Sequence, residues 1–473
     1  MPSPIPTVRT IKTYAVTPRP NPDAPRQLEM SAWDVPMLCP HYIQKGLLFK
    51  YPPDLSLEQI IQRLRSSLEE ALFHFYLGLS TVYFYPLSGR LRVVTCEGGG
   101  VTCHVEVGVE GEGAEFVHAV ADGIGIADVV AADGQDLPDF LKEFFPLDLA
   151  LNFDGCTSPL LVIQLTELKD GIFIGCVFNH AIGDGTSFWH FFDAFAEISR
   201  CKAVGKEVVL SRPPVHDKWF IGGYGEPPIK LPYSSPEEVV VRFSPPPLRE
   251  RMFHFSSESL AKLKAKANSE CGKGTISTFQ ALSALMWRCI TRARGFPPEQ
   301  KTSCRLAIQN RARLQPPLSP NYFGNSIYAA PTTTTAGELL NNNLGWAAWK
   351  AHEIVSNHTD SAIRDMVHKY MQNPIVYNLH MFDIHSVMMG SSPRFDMYGC
   401  DFGWGKALAA RSGSANKFDG KVSAYPGWEG GGSVDLEVCL LPKYMSALEG
   451  DEEFLAVVSP PIKLEVLLGK SIK

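Results

Sequence analysis

Residues 171–178 (GIFIGCVF) form an apolar run without a charge, rich in β-branched and aromatic side chains, which predicts a buried strand. Directly after it, Phe188, Phe191, Phe192 and Phe195 recur at helical spacing within 187–198, the pattern of a helix that lays an aromatic stripe on a sheet. Residues 56–76 carry Leu57, Ile60, Ile61, Leu64, Leu68 and Leu72 at the same spacing with charges opposite, so an amphipathic helix capped by Ser56 is expected. Two more helices are predicted, over Ser257–Cys271 and over 276–293. The second starts at Ser277 or Thr278 and buries Phe279, Leu282, Leu285 and Met286. Strands are predicted at Val8–Val16 (an edge), Gly46–Tyr51, Leu91–Thr95, Val239–Phe243, 302–310, 419–425 and 433–441. The glycine-rich stretch 98–115 reads as hairpins, and a short helix is expected near Asp136–Phe145.

The chain is longer than one hydrophobic core supports, at 473 residues, so two domains are expected. Between them, residues 201–237 lack periodicity and hold Pro213, Pro214, Pro227, Pro228, Pro232 and Pro236, a natural crossover. The division is therefore an N-terminal domain over 1–200, a crossover loop over 201–237 and a C-terminal domain over 238–473. A formal net charge of −6 argues against nucleic acid or an anionic membrane as partner. No apolar run reaches the roughly 18 residues that a membrane span needs, and MPSPIPTVRTIK has no apolar core of a signal peptide. Eleven cysteines stand singly, with no C-x-x-C pair and no cluster at metal-ligand spacing, so no metal is implied. Reduced thiols and a cytoplasmic location are the expectation.

Candidate chemistry concentrates at Phe178-Asn179-His180-Ala181-Ile182-Gly183-Asp184-Gly185, between the buried strand and the aromatic helix. A histidine at a strand end facing a cleft takes a proton from an alcohol or amine near neutral pH. Gly183 and Gly185 are expected to let the backbone turn sharply, and Asp184 to hold the turn rather than share the chemistry. Upstream, Asp34 and His41 flank a turn-rich run, where His41 lines a pocket or sits on a surface loop. The amides that open the helix at Ser277 are a ready anion site, or simply a capped helix.

The residues resemble the plant BAHD acyl-CoA-dependent acyltransferases, in the branch of uncharacterised acetyltransferases. Two motifs carry the resemblance: His180-x-x-x-Asp184-Gly185, and Asp401-Phe402-Gly403-Trp404-Gly405 near the C-terminus. Pro86-Leu87-Ser88-Gly89-Arg90, QALSALMWR at 280–288 and YFGNSI at 322–327 extend it over nearly the whole chain. It implies an α/β fold of two chloramphenicol-acetyltransferase-like domains, each a mixed β-sheet with flanking helices, with a solvent channel between them and His180 at its centre. His180 would be the general base toward a hydroxyl or amine of a small-molecule acceptor. Acyl-CoA would be a co-substrate, with no cofactor bound permanently, and one chain would suffice as a monomer. Asp184 would shape the site through a salt bridge to Arg305 or Arg311. Asp401, Phe402, Gly403, Trp404 and Gly405 would support the domain arrangement and the CoA side. His41 would stand on the acceptor side, and Ser277 and Thr278 would approach CoA with Lys266 or Lys273.

The chain departs from the pattern of its relatives in three places. Lys406 is followed by Ala407 where many members have proline. Gly390-Ser391-Ser392-Pro393-Arg394 replaces a Thr-Ser-Trp run, so the oxyanion donor is Ser391, Ser392, a backbone amide or absent. HFY would join PLSGRL naturally, which makes 77–85 an extra stretch. The altered 390–394 segment motivates an alternative activity, a lyase-type reaction on a metabolite conjugate that uses the same channel without CoA.

Overall fold

Two six-stranded mixed sheets, each flanked by helices, make up the α/β fold of this chain. The computed structural model describes residues 7–18, 27–75, 77–79, 82–84, 90–96, 100–106, 113–130, 135–223, 229–461 and 463–469. Residues 86–89 of the Pro-Leu-Ser-Gly motif, as well as Pro227 and Pro228, lie outside them. The sheets use β1 (Thr7–Val16), β2 (Ile43–Lys50), β3 (Ala114–Asp122), β4 (Leu161–Glu167), β5 (Gly171–Phe178) and β6 (Arg249–Phe255). They continue with β7 (Lys301–Gln309), β8 (Ile327–Thr335), β9 (Ser386–Ser391), β10 (Ala409–Ser412), β11 (Lys421–Pro426) and β12 (Val434–Leu440). The helices that frame them are α1 (Leu57–His74), α2 (Gly185–Ala203), α3 (Ser257–Cys271), α4 (Thr278–Arg294) and α5 (Leu344–Ser356).

The first sheet runs β1-β3-β4-β5-β2-β10, with β3 and β4 parallel and the other pairs antiparallel. As predicted, β1 is an edge. Every residue of β5 is buried, because both faces of this sheet are covered. On one face pack α1 and α2, with Leu64, Leu68, Phe188, Phe191, Phe192 and Phe195 in the core. On the other lie Phe144 and Phe145 of a 3₁₀ helix over Asp139–Phe144, against Phe173 and Val177.

The second sheet runs β6-β12-β11-β9-β7-β8, in which β11, β9 and β7 are parallel. Its two faces differ, and the strand period of two says why. Val387, Met389, Val422, Ala424, Leu436 and Val438 share one face and pack on α3, α4 and α5 in a separate core. Arg305, Met388, Lys421, Cys439 and Glu250 share the other, aligned in one cross-strand row.

Three expectations change. The predicted strand Val239–Phe243 does not form: Pro236 opens a 3₁₀ turn over Pro236–Val239, and three prolines follow at 245–247, so the paired strand begins only at Arg249. Of the stretch 98–115, residues 101–106 pair with 90–95 in a small separate sheet, whereas Ala114 already belongs to β3. The C-terminal half does not stay on its own side of the crossover either, since β10 pairs with β2 and completes the first sheet. In the proposed insertion, 77–79 and 82–84 pair as a two-stranded ribbon outside both main sheets. The crossover is pinned rather than free: Val215 bridges to Tyr322, and Leu231 to Val101.

The Asp401–Gly405 loop is anchored to the far end of α2. Asp401 Oδ1 accepts the amides of Gly403, Trp404 and Gly405, and Ser199 Oγ donates to the Phe402 carbonyl at 2.9 Å. Phe402 is fully buried among Phe49, Phe192, Phe195 and the stacked Trp404, while Arg63 lies over Trp404. Ser199 stands fifteen residues after Asp184 in α2, so the loop is held roughly 22 Å from the residue that precedes the helix. Phe402→Ala is therefore expected to cost about 3–5 kcal/mol of stability through the cavity it leaves, read as a lowered thermal midpoint.

Candidate active site

β5 ends at Phe178, and the chain leaves the sheet through a turn that its own side chains and two distant asparagines hold in place. Asn179 Oδ1 accepts the Ala181 amide at 3.0 Å, and its Nδ2 donates to the Asn152 carbonyl at 2.8 Å. The His180 amide donates to Asn152 Oδ1 at 2.7 Å, and the His180 carbonyl accepts from Asn325 Nδ2 at 2.8 Å. Both main-chain groups of His180 are thus clamped by side-chain amides. Asn325 is fixed in turn, because its Nδ2 also donates to Asp34, whose carboxylate accepts from Lys218 and Ser31. The ring itself is half-buried. Burial lowers its pKa from the ordinary imidazole value, and the positive charge of Lys421 lowers it further. Its own carbonyl, Asp184 and the Asn325 side chain oppose that shift without reversing it. Nδ1 of His180 and Oδ1 of Asn325 are both buried with no hydrogen-bond partner among the described residues. A proton on Nδ1 would leave Nε2 free to accept.

Gly183 and Gly185 do not take a left-handed conformation. Gly183 is needed for closeness instead: a Cβ there would sit 2.9 Å from Ser187 and 3.1 Å from the Phe178 ring. Asp184 then does two jobs. Its Oδ1 accepts the amides of Thr186 and Ser187 and so caps α2. It also forms a bidentate pair with Arg311, at 2.7 and 2.9 Å, and its Oδ2 accepts the Ser326 amide at 3.0 Å. Burial alone would raise its pKa, but the charge and hydrogen bonds of Arg311 and the two amides bring it below the usual carboxylate value. Arg311, 2% exposed, spends its remaining donors on the Tyr322 and Gly324 carbonyls and on Ser187 Oγ. Of the two arginines left open by the sequence, Arg311 is the partner of Asp184. Arg305 is not.

His41 is buried beside this turn, not on a surface loop. Its carbonyl lies 3.5 Å from the Asn152 amide nitrogen, and its Nδ1 accepts the Asn416 amide at 3.0 Å. Burial lowers its pKa as well. Ser391 ends β9 in a left-handed conformation (φ 61°), and Ser392 Oγ accepts the Arg394 amide. Phe395, just beyond, packs beside Gly185 and Trp189, which brings this segment to the mouth of α2. Ser277, Thr278 and Lys273 belong to the outer helical layer. Ser277 and Gln280 form a capping box at the start of α4, and Lys273 lies 3.5 Å over the Trp349 ring. No hydrogen bond or ion pair among the described residues links these three to the His180 turn.

The polar face of the second sheet forms the opposite wall. Glu437 is buried and accepts from Ser412 Oγ, Tyr425 Oη and Lys417 Nζ, at 2.7, 2.7 and 2.9 Å. Lys417 also pairs with Glu250, and Lys45 of β2 hydrogen-bonds Tyr425, so the cluster ties the two sheets together. Burial pushes the Lys45 pKa down to about 8. Glu250, Glu437 and Cys439 come within 4.8 Å of one another with metal-ligand chemistry, but the Lys417 ammonium already pairs with both carboxylates. Sequence reasoning missed Asn152 and this cluster. Charges inside otherwise apolar strands, Lys421 in KVSAYP and Glu437 in VDLEVCL, are the visible sign of a polar face.

Comparison with known proteins follows the same lines. Residues 6–455 match the model of the Transferase family. An uncharacterised acetyltransferase of Arabidopsis thaliana is 36% identical over 442 residues, covering 92% of this chain and 95% of the relative. The Arabidopsis BAHD acyltransferase DCR is 34% identical, covering 91% and 88%. A crystal structure of F. graminearum TRI101 complexed with coenzyme A and deoxynivalenol shares the fold, with a TM-score of 0.73 at 18% identity over 92% of this chain and 99% of that one. In none of the described residues is a helix long and apolar enough to cross a membrane.

The buried pair has a measurable cost of disruption. Asp184→Asn leaves the Arg311 charge uncompensated and is expected to destabilise the fold by about 3–5 kcal/mol. Denaturant titration of Asp184→Asn, Arg311→Met and the double variant should show losses that are far from additive. Additive losses would mean that the two groups act separately.

Proposed function

The chain belongs to the Transferase family of BAHD acyltransferases, and from that premise we propose that it moves an acyl group from a CoA thioester to a hydroxyl or amine of a plant metabolite, with His180 as general base. The observation that carries this reading is a half-buried imidazole, clamped at its amide and its carbonyl, with its pKa held below the usual value. Such a ring is neutral at pH 7 and ready to accept a proton. Nε2 takes the proton of the acceptor while the freed oxygen or nitrogen forms a bond to the thioester carbonyl carbon. The tetrahedral oxyanion collapses with cleavage of the C–S bond, and the imidazolium returns its proton to the departing CoA thiolate. Ser391, Ser392 or an amide of their turn would donate to the oxyanion. Asp184 takes no part in proton transfer; its charge is spent on Arg311 and on capping α2.

The likeness to a structure that holds coenzyme A supports CoA as the acyl carrier, with the acceptor entering near His41. In this reading Lys273 leaves its place over Trp349 to meet an anionic part of CoA, beside Ser277 and Thr278. All residues invoked come from one chain, which supports activity as a monomer.

Thiol release is the decisive assay, across acetyl-, benzoyl- and hydroxycinnamoyl-CoA with pooled acceptors. Wild-type protein should release CoA, and His180→Ala should lose about 10²–10⁴-fold in kcat without loss of folding. Silence in both, together with turnover of a conjugate in the absence of CoA, would replace this reading by the lyase-type reaction. In the active protein, kcat/KM should rise with pH through a midpoint below 6.5 and stay flat across neutral pH, because the active form is the unprotonated imidazole. A midpoint above 6.5 would contradict the role of burial.

A further inference from the structure

Arg305 and Lys421 remain after every buried carboxylate of the site has found its partner. Asp184 is taken by Arg311, and Glu437 and Glu250 by Lys417. Lys45 is held by Tyr425. Among the described residues Arg305 and Lys421 form no ion pair, and Arg305 Nε is buried with no hydrogen-bond partner. Their placement is defined by strand register. Arg305 on β7 pairs with Met388 on β9, and Met388 pairs with Lys421 on β11, so the two cations flank Met388 in one row. Two strand spacings put their Cα atoms roughly 10 Å apart.

The Lys421 end of that row faces the reacting centre, and the strand of Arg305 reaches it four residues further on. The Lys421 ammonium lies over Gly390, where the absent side chain makes room for it, and its charge adds slightly to the lowering of the His180 pKa that burial causes. On β7, Gln309 shares the face of Arg305 and reaches Thr186 in the first turn of α2, at 3.5 Å. Between the cations lies an apolar patch of Met388, Leu379 and Phe418, with Phe382 stacked on Phe418 and under the Arg305 guanidinium. Arg305 pairs with no carboxylate among the described residues and Lys421 feels Glu437 only at a distance, so two half-buried cations without a direct ion pair beside an apolar floor are costly unless a ligand supplies the anion.

Resting on the acyl-transfer reading above, we propose that Arg305 and Lys421 form an anion subsite that takes a carboxylate carried by one of the two substrates, the acceptor or the acyl group. The guanidinium offers a planar fork to the carboxylate and the ammonium a point charge, while the patch between them takes the apolar body. The subsite would select an anionic substrate over its neutral analogue and fix its distance from His180.

Matched probes test this on the whole protein. For the acceptor, 3-hydroxybenzoate, quinate and tyrosine are each compared with their methyl esters. For the acyl group, malonyl-CoA is compared with acetyl-CoA. Binding is read by calorimetry and turnover by thiol release. In at least one pair the anionic member should win by about tenfold or more, and the pair that does so identifies the substrate that bears the carboxylate. Arg305→Gln combined with Lys421→Met should bring that ratio close to one, whereas Arg305→Lys and Lys421→Arg should preserve most of it. Ratios near one in every wild-type pair would overturn the proposal, and so would a preference that survives the double variant. The two readings fail separately: selective binding without thiol release removes acyl transfer and keeps the subsite, whereas thiol release without selectivity does the reverse.

Discussion

The ion pair of Asp184 with Arg311 is the joint on which the rest of the site depends. Taking a carboxylate and a guanidinium out of water is repaid only when the remaining lone pairs and protons are satisfied as well. Here they are. Two amides of α2 and one of Ser326 complete the carboxylate, and two carbonyls with a serine hydroxyl complete the guanidinium. The same set of bonds fixes the start of α2 to the 322–326 turn, and that turn carries Asn325 to the carbonyl of His180. A buried charge fully engaged within the protein thereby decides where the imidazole stands.

The two sheets serve this centre in different ways because their faces differ. In the first, β5 is buried on both faces, and burial at its end lowers the pKa of His180. The second is apolar toward its helices and polar toward its partner, so it provides a charged wall without giving up a core. Glu437 joins the two, since its hydrogen bonds reach Ser412 on the first sheet and Tyr425 on the second. Burial and charge therefore act on the same histidine from opposite sides.

Much of this was legible in the chain. The run 171–178 and the leucine spacing of 57–72 located two elements nearly to the residue, and the phenylalanine stripe located the core of α2, which extends beyond 187–198 at both ends, because their burial is periodic and local. The family motifs located His180 and Asp184. What stayed hidden depends on residues far apart in sequence. Nothing in the spacing chooses between Arg305, within the strand, and Arg311, just beyond its end, and only tertiary placement shows which guanidinium meets Asp184. Asn152 sits in a 3₁₀ turn without any pattern of its own. The strand expected at 239–243 was apolar enough, but proline punctuation on both sides outweighed composition. At Gly183 the reason was steric rather than torsional, and sequence does not distinguish the two.

The short strand β10 has a consequence for how the molecule comes into being. It closes the edge of the first sheet beside β2, yet it is synthesised more than two hundred residues after β5. At roughly 5–20 residues per second, the nascent chain carries that sheet with an open edge for tens of seconds. During this interval the backbone of β2 lacks its last partner, and Lys45 lacks the tyrosine that holds it. Such an edge invites pairing with other chains, so the protein passes through an aggregation-prone stage that ends only when its C-terminal half arrives. Assembly of the candidate site is therefore a late event of biosynthesis, and a chain truncated before residue 409 inherits a sheet that cannot close.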